Sequence, residues 1–226
     1  MAYHLYITSR NYSSWSFRPW LLMRQLDIPF QEKLADLKSG SLRQPHWAAF
    51  SPLAHVPCLH HILADDDSDD APLVLWESIA IVDHLAENHP DKSVYPTDKR
   101  ARAWARSAVA EMHAGFGFIR EEMSMNIGMR IKLVPGEVSE GLEKDLKRVD
   151  QLWTEGLERF GGPWLAGTEF GAVDAFYAPV VLRLQVCFPF ASMGWKSCVR
   201  LVAVGMPIRI VCIWSGAVSA TVQPVT

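Results

Sequence analysis

The chain opens on Tyr3-His4-Leu5-Tyr6-Ile7, where apolar side chains alternate with more polar ones. It then changes rhythm: Leu21-Leu22-Met23-Arg24-Gln25-Leu26 repeats its apolar positions at helical spacing. A strand followed by a helix is predicted, with Asn11-Tyr12-Ser13-Ser14-Trp15-Ser16-Phe17-Arg18-Pro19-Trp20 at their junction. Pro19 restricts the helix start to Ser14 or Trp15, because a residue without an N–H costs little only in the first turn. Phe30 to Leu37 alternates again, which gives a β-α-β opening with a parallel first pair. From Lys38 to Pro52 the text is polar and broken by Gly40, Pro45 and Pro52, with Trp47 and Phe50 as anchors of an irregular segment or short helix. Val56 to Leu63 and Leu73 to Trp76 read as two more strands, joined through a solvated turn at Asp65 to Asp70. In Ser78 to Asn88, Ile79, Val82 and Ala86 form one stripe with Ile81 and Leu85 beside it, a helix that His89-Pro90 terminates.

Residues 90–97 read as a linker, and beyond them the period-two signal fades. Helices are predicted from Ala101 to about Glu122 and from Ser139 to about Phe160, the second stopped by Gly161-Gly162-Pro163. Gly171 stands at the N-cap position of a further helix, and Asp174 is placed to accept from its early backbone N–H groups. The fold class that follows is α+β: a βαβ-α-ββα half over residues 1–89, a linker, and an all-helical half over 98–226. From about residue 186 the character shifts. No Asp or Glu follows Asp174, and Cys187, Cys198 and Cys212 all lie in this tail. A soluble domain keeps about a quarter of its residues charged, so the tail is expected to derive from a shifted reading frame, a retained intron or an alternative exon.

Composition narrows the function classes. Lys and Arg total 22 against 25 acidic residues, for a net charge of −3, so there is no basic footprint for nucleic acid. The N-terminus has no charged and apolar leader pattern, and no apolar run reaches the roughly 18 residues a membrane helix needs. A cytoplasmic protein without membrane segments is expected. The four cysteines, Cys58 included, show no CxxC spacing and fit reduced thiols. No metal is expected: Asp65 to Asp70 lacks the glycine and glutamate of a calcium loop, and the neighbours His60 and His61 point to opposite faces of a strand, so they and His55 do not converge.

The chemistry concentrates in three loops. Ser13 and Ser14 stand where a helix begins, and the free N–H groups and dipole of that helix start favour an anion such as a thiolate. Val56-Pro57 is a candidate cis bond, beside backbone groups suited to pairing with an extended peptide. Glu77-Ser78 opens the helix after the last strand, where a carboxylate and N-terminal N–H groups meet an ammonium and a carboxylate. In a β-α-β-β-α unit all three loops lie at one end of the sheet.

These residues carry a resemblance. Tyr12-Ser13-Ser14-Trp15-Ser16-Phe17-Arg18 resembles the serine motif of zeta and tau-like cytosolic glutathione transferases. Ser51 to Leu59 resembles the segment around their Val-Pro, Trp76-Glu77-Ser78-Ile79-Ala80-Ile81 their Glu-Ser element, and Phe170 to Pro179 their helix-six capping region. Arg100 to Arg106, Glu111 to His113 and Met125-Asn126-Ile127 are similar to bacterial zeta-like members, and the likeness spans about residues 3 to 185. It implies a thioredoxin-like first half, a helical second half, a homodimer, and glutathione as co-substrate without a metal. Ser13 then aligns with the hydroxyl that holds the glutathione thiolate, with Ser14 one residue away and Tyr12 third. His55 would stand near the glycine carboxylate, Val56 and Pro57 at the cysteinyl backbone, and Glu77 with Ser78 at the γ-glutamyl end. Trp15, Trp104, His113 and Phe116 would border the pocket for a small hydrophobic or unsaturated electrophile. The implied reaction is conjugation, or zeta-like glutathione-dependent isomerisation. The alternative is a non-catalytic relative that uses the same surface to bind proteins.

Overall fold

A computed structural model describes residues 2–36, 44–63, 71–126 and 138–186. The aspartate-rich turn at Asp65 to Asp70, Ile127 and the tail beyond residue 186 lie outside these described residues, as does the stretch from Leu37 to Arg43.

The first half is a four-stranded sheet with two helices. Strand β1 (Ala2–Ile7) leads into α1 (Ser14–Gln25) and β2 (Gln31–Leu34), which pairs parallel to β1. A 3₁₀ turn at Pro45–Ala49 follows, with Trp47 fully buried at its centre. Then come β3 (Cys58–Ile62), β4 (Leu73–Trp76) and α2 (Ser78–Asn88). The strand order is β2-β1-β3-β4, with β3 antiparallel to both neighbours. Leu5, Ile7 and Leu59 from the sheet meet Phe17, Leu21 and Leu22 of α1 and Ile81, Val82 and Leu85 of α2, so the faces selected by period two and period 3.6 close one core.

The second half is helical: α3 (Lys99–Ala114), α4 (Gly117–Glu122), α5 (Glu140–Phe160) and α6 (Ala172–Val186). The single helix expected from Ala101 to Glu122 is divided in two. A Cβ on Gly115 would stand 2.9 Å from the Glu111 carbonyl, and Phe116 adopts a left-handed φ of 59°, which breaks the helical path. Pro19 also departs from expectation. The helix does start at Ser14, yet Pro19 is its sixth residue, in the second turn, so the Trp15 carbonyl forgoes its usual i+4 donor. Ser139 caps α5 through the Leu142 N–H at 3.0 Å, and Gly161 ends it at φ 66°. Gly171 lies 3.1 Å, as a Cβ would, from the Ser93 and Val94 carbonyls, while Ala172 N–H donates to Val94 at 2.8 Å. That close approach accounts for the glycine at this N-cap position.

His60 and His61 do face opposite ways. His60 Nε2 meets the Phe50 carbonyl at 2.7 Å, while buried His61 places Nδ1 2.9 Å from His84 Nε2. One proton serves that nitrogen pair, and burial lowers the pKa of both rings. A depressed folded-state pKa means that the unfolded chain binds more protons, so the contribution is complete above the unfolded value of about 6.5 and is lost as pH falls through the folded value. Denaturant titrations should show stability declining below about pH 6.5, and His84→Gln should flatten that decline.

Candidate active site

The strand register puts the three loops level. Tyr6 pairs with Cys58, and Cys58 pairs with Trp76. The chain leaving Tyr6 runs to Ser13-Ser14, the chain entering Cys58 is Val56-Pro57, and the chain leaving Trp76 is Glu77-Ser78. All three therefore open on one edge of the sheet. The Val56-Pro57 bond is cis. The Val56 amide has no backbone partner among the described residues.

Ser13 is the N-cap of α1. Its Oγ accepts from the Ser16 N–H at 3.3 Å and donates to Ser16 Oγ at 2.9 Å, with only 2% of the residue exposed. Ser14, the first helical residue, accepts at Oγ from Arg183 Nη2 at 3.3 Å. Glu77 precedes α2 with a φ of 69°, a costly conformation for a residue with a Cβ, and its carboxylate is about half exposed. Behind it Ser78 Oγ is buried with no hydrogen-bond partner among the described residues. His55, half-buried, holds the approach to Val56 through its own N–H, which donates to Ser51 Oγ at 3.3 Å.

Helices from the second half close over this edge. His113 of α3 sits edge-on to Trp15 at 5.3 Å, and its Nε2 is 3.8 Å from Glu77 Oε2. That separation is too long for a hydrogen bond. Burial and then Arg18 lower the His113 pKa despite Glu77, so the ring is held neutral and the contact is not an ion pair at neutral pH. The Arg18 guanidinium folds back to lie 4.2 Å over the Trp15 ring and 4.9 Å from the Phe176 ring of α6. Arg120 of α4 approaches the same indole at 5.8 Å, and Arg183 of α6 donates to the Met123 and Arg120 carbonyls.

Of the four residues expected to border an electrophile pocket, Trp15 and His113 stand together at the α1 start. Phe116 packs edge-on to Tyr177 in the core at 6.1 Å. Trp104 is a correction: it lies nine residues before His113 on α3, about 13 Å along the axis, and packs on Phe160 and against Gly156 of α5. Sequence reasoning gave no role to Arg18, Arg120 or Arg183; the last two look like ordinary helix-surface charges until the fold brings Arg120 to Trp15 and Arg183 to Ser14. Among the described residues, no group of three or more His, Cys, Asp or Glu side chains gathers as a metal site, and no helix is long and apolar enough to cross a membrane.

Residues 12–88 match the glutathione S-transferase N-terminal domain family. Glutathione S-transferase GstB of Escherichia coli K12 is 28% identical over 185 residues, covering 77% of this chain and 80% of that protein. Glutathione S-transferase 1 of Dianthus caryophyllus is 26% identical over 178 residues, covering 79% and 75%. A glutathione transferase homologue from Sulfitobacter, solved with bound glutathione, superimposes with a TM-score of 0.65 at 19% identity over 95% of this chain and 97% of that one. The chain is thus similar to glutathione transferases over its first half and to their relatives over most of its length, and its fold is a thioredoxin-like domain plus a helical domain.

Proposed function

We propose that the protein is a glutathione transferase that binds glutathione across the shared sheet edge and directs its thiolate at a small electrophile. The observation that carries this reading is the Tyr6-Cys58-Trp76 register, which brings the α1 start, Val56-Pro57 and Glu77-Ser78 level with one another. In this reading the cysteinyl backbone pairs with Val56 beside Pro57, and the γ-glutamyl ammonium meets Glu77. The γ-glutamyl carboxylate meets the α2 N-terminus and the unpartnered Ser78 Oγ, and the glycine end lies toward His55. The thiol then falls at the α1 N-terminus, where N–H groups and a serine hydroxyl favour thiolate, the attacking species. Attack forms a C–S bond and expels a leaving group or, at a double bond, adds across it.

Two contacts favour Ser14 over Ser13 as the hydroxyl donor. Ser13 commits its proton to Ser16, whereas Ser14 accepts from Arg183, and no acceptor for its own proton is present among the described residues. A homodimer belongs to the same reading, with Ile62, Leu63 and Leu73 exposed on the β3–β4 side of the sheet for a second copy. Isothermal titration of glutathione into the full chain tests the proposal. Saturable binding that Glu77→Ala weakens by about tenfold or more is expected, since a charged hydrogen bond contributes about 1.5–3 kcal/mol. No binding to a folded wild type would overturn the enzyme reading.

A further inference from the structure

The cationic group around Trp15 is more than the glutathione reading uses. Arg18 is 1% exposed, and its Nε and Nη1 are buried without a hydrogen-bond partner among the described residues. No carboxylate of the described residues lies against its guanidinium; its neighbours are two aromatic faces and, beyond them, Arg120 and Arg183. Burial and those two like charges depress its pKa to about 9. The sequence supplies no Asp or Glu after Asp174. A buried cation without a partner is costly, and planar donors that lack an acceptor mark the place of a planar anion. His113, neutral and edge-on to the same indole, has an unpartnered Nδ1 on the same side of α1.

We propose that Arg18, assisted by Arg120, holds a carboxylate of the second substrate, so that the protein takes acidic electrophiles rather than wholly apolar ones. The inference rests on the glutathione reading for the thiolate but not for the anion site itself. Trp15 supplies an aromatic wall for the apolar body of such an acid, and the first turn of α1 carries Ser14 beside it. Because Arg18 lies toward α6 and Glu77 toward α2, the carboxylate at Arg18 is distinct from those of glutathione.

Benzoate and benzamide have the same shape and differ in charge. Titrated calorimetrically into the full chain, with and without saturating glutathione, benzoate should bind at least about tenfold tighter than benzamide. Arg18→Met should bring benzoate to the benzamide level while leaving glutathione affinity within about twofold. Arg120→Met, with its guanidinium further from the indole, should narrow the gap partially and serves if Arg18→Met does not fold. Equal binding of the two probes, or binding of neither, would overturn the proposal. So would benzoate displacing glutathione, or Arg18→Met abolishing glutathione binding, since either assigns the arginine to glutathione itself. Absence of glutathione binding alongside intact benzoate discrimination would remove the transferase reading and leave the anion site standing. With glutathione bound, 4-chloro-3-nitrobenzoate should be conjugated with higher kcat/KM than its amide, as the C–S bond forms and chloride leaves.

Discussion

Asp174→Ala is expected to cost at least about 3 kcal/mol and to lower Tm by roughly 6–12 °C, since each kcal/mol moves a chain of this size by about 2–4 °C. The carboxylate is fully buried and accepts from the Leu165 N–H and the Gly171 N–H, each at 2.9 Å. Removing it strands two buried donors, each at roughly 1–3 kcal/mol, and frees the 165–171 loop from the start of α6. Asp174→Asn should recover only part of this, because its amide nitrogen would face one of the two N–H groups. The carboxyl also has a pH signature. Burial pushes its pKa up to about 7 against the pull of the backbone donors. A folded-state pKa above the unfolded value near 3.9 means the native state binds the extra proton. That contribution is therefore full below about pH 4 and is lost as pH rises through 7, the reverse of the His61–His84 pair. The stability of the wild type relative to Asp174→Asn, from urea titrations across pH 4 to 8, should show this downward slope, because the His61–His84 contribution is common to both chains and cancels in the difference. An unchanged slope in that variant would sink the assignment.

The same capping pattern shows what a single sequence reveals. β4 and α2 have the bounds that alternation and helical spacing give, because a buried face imposes its period directly on the residues. Ser139 and Gly161 mark α5 for the same local reason. The α3–α4 break is different: it depends on one left-handed phenylalanine, and no periodicity announces a residue in that region. Expected strand residues at Phe30 and Val56 fall outside β2 and β3, since pairing register rather than apolar character ends a strand. In the candidate site, Ser13-Ser14, Val56-Pro57 and Glu77-Ser78 were legible because each sits at an element boundary. Arg120 and Arg183 were not, being 102 and 165 positions from Arg18 and joined to it only by the packing of α4 and α6 on α1. Trp104 misled for the complementary reason: an aromatic on the right helix lay about two and a half turns from the right end.

Ser14→Ala should lower kcat/KM for glutathione conjugation by about 10- to 100-fold with little change in glutathione affinity. A hydrogen bond to a charged acceptor contributes about 1.5–3 kcal/mol, which corresponds to roughly one to two units of thiol pKa. The wild-type bound thiol should therefore ionise below the free value of about 8.5, and the variant should return it most of the way. Arg183 donating into Ser14 Oγ polarises that hydroxyl and strengthens its own donation. Ser13→Ala removes an N-cap instead, so its effect should fall on stability, at about 1 kcal/mol, and leave the thiol titration nearly unchanged. The two variants separate by ultraviolet titration of the bound thiolate together with denaturant midpoints. Ser14→Thr, which keeps the hydroxyl, should restore the low thiol pKa, a rescue that a packing role would not produce. The opposite pattern, with Ser13→Ala raising the thiol pKa and Ser14→Ala neutral, would return the role to Ser13 and require the Ser13–Ser16 hydroxyl bond to open when glutathione binds.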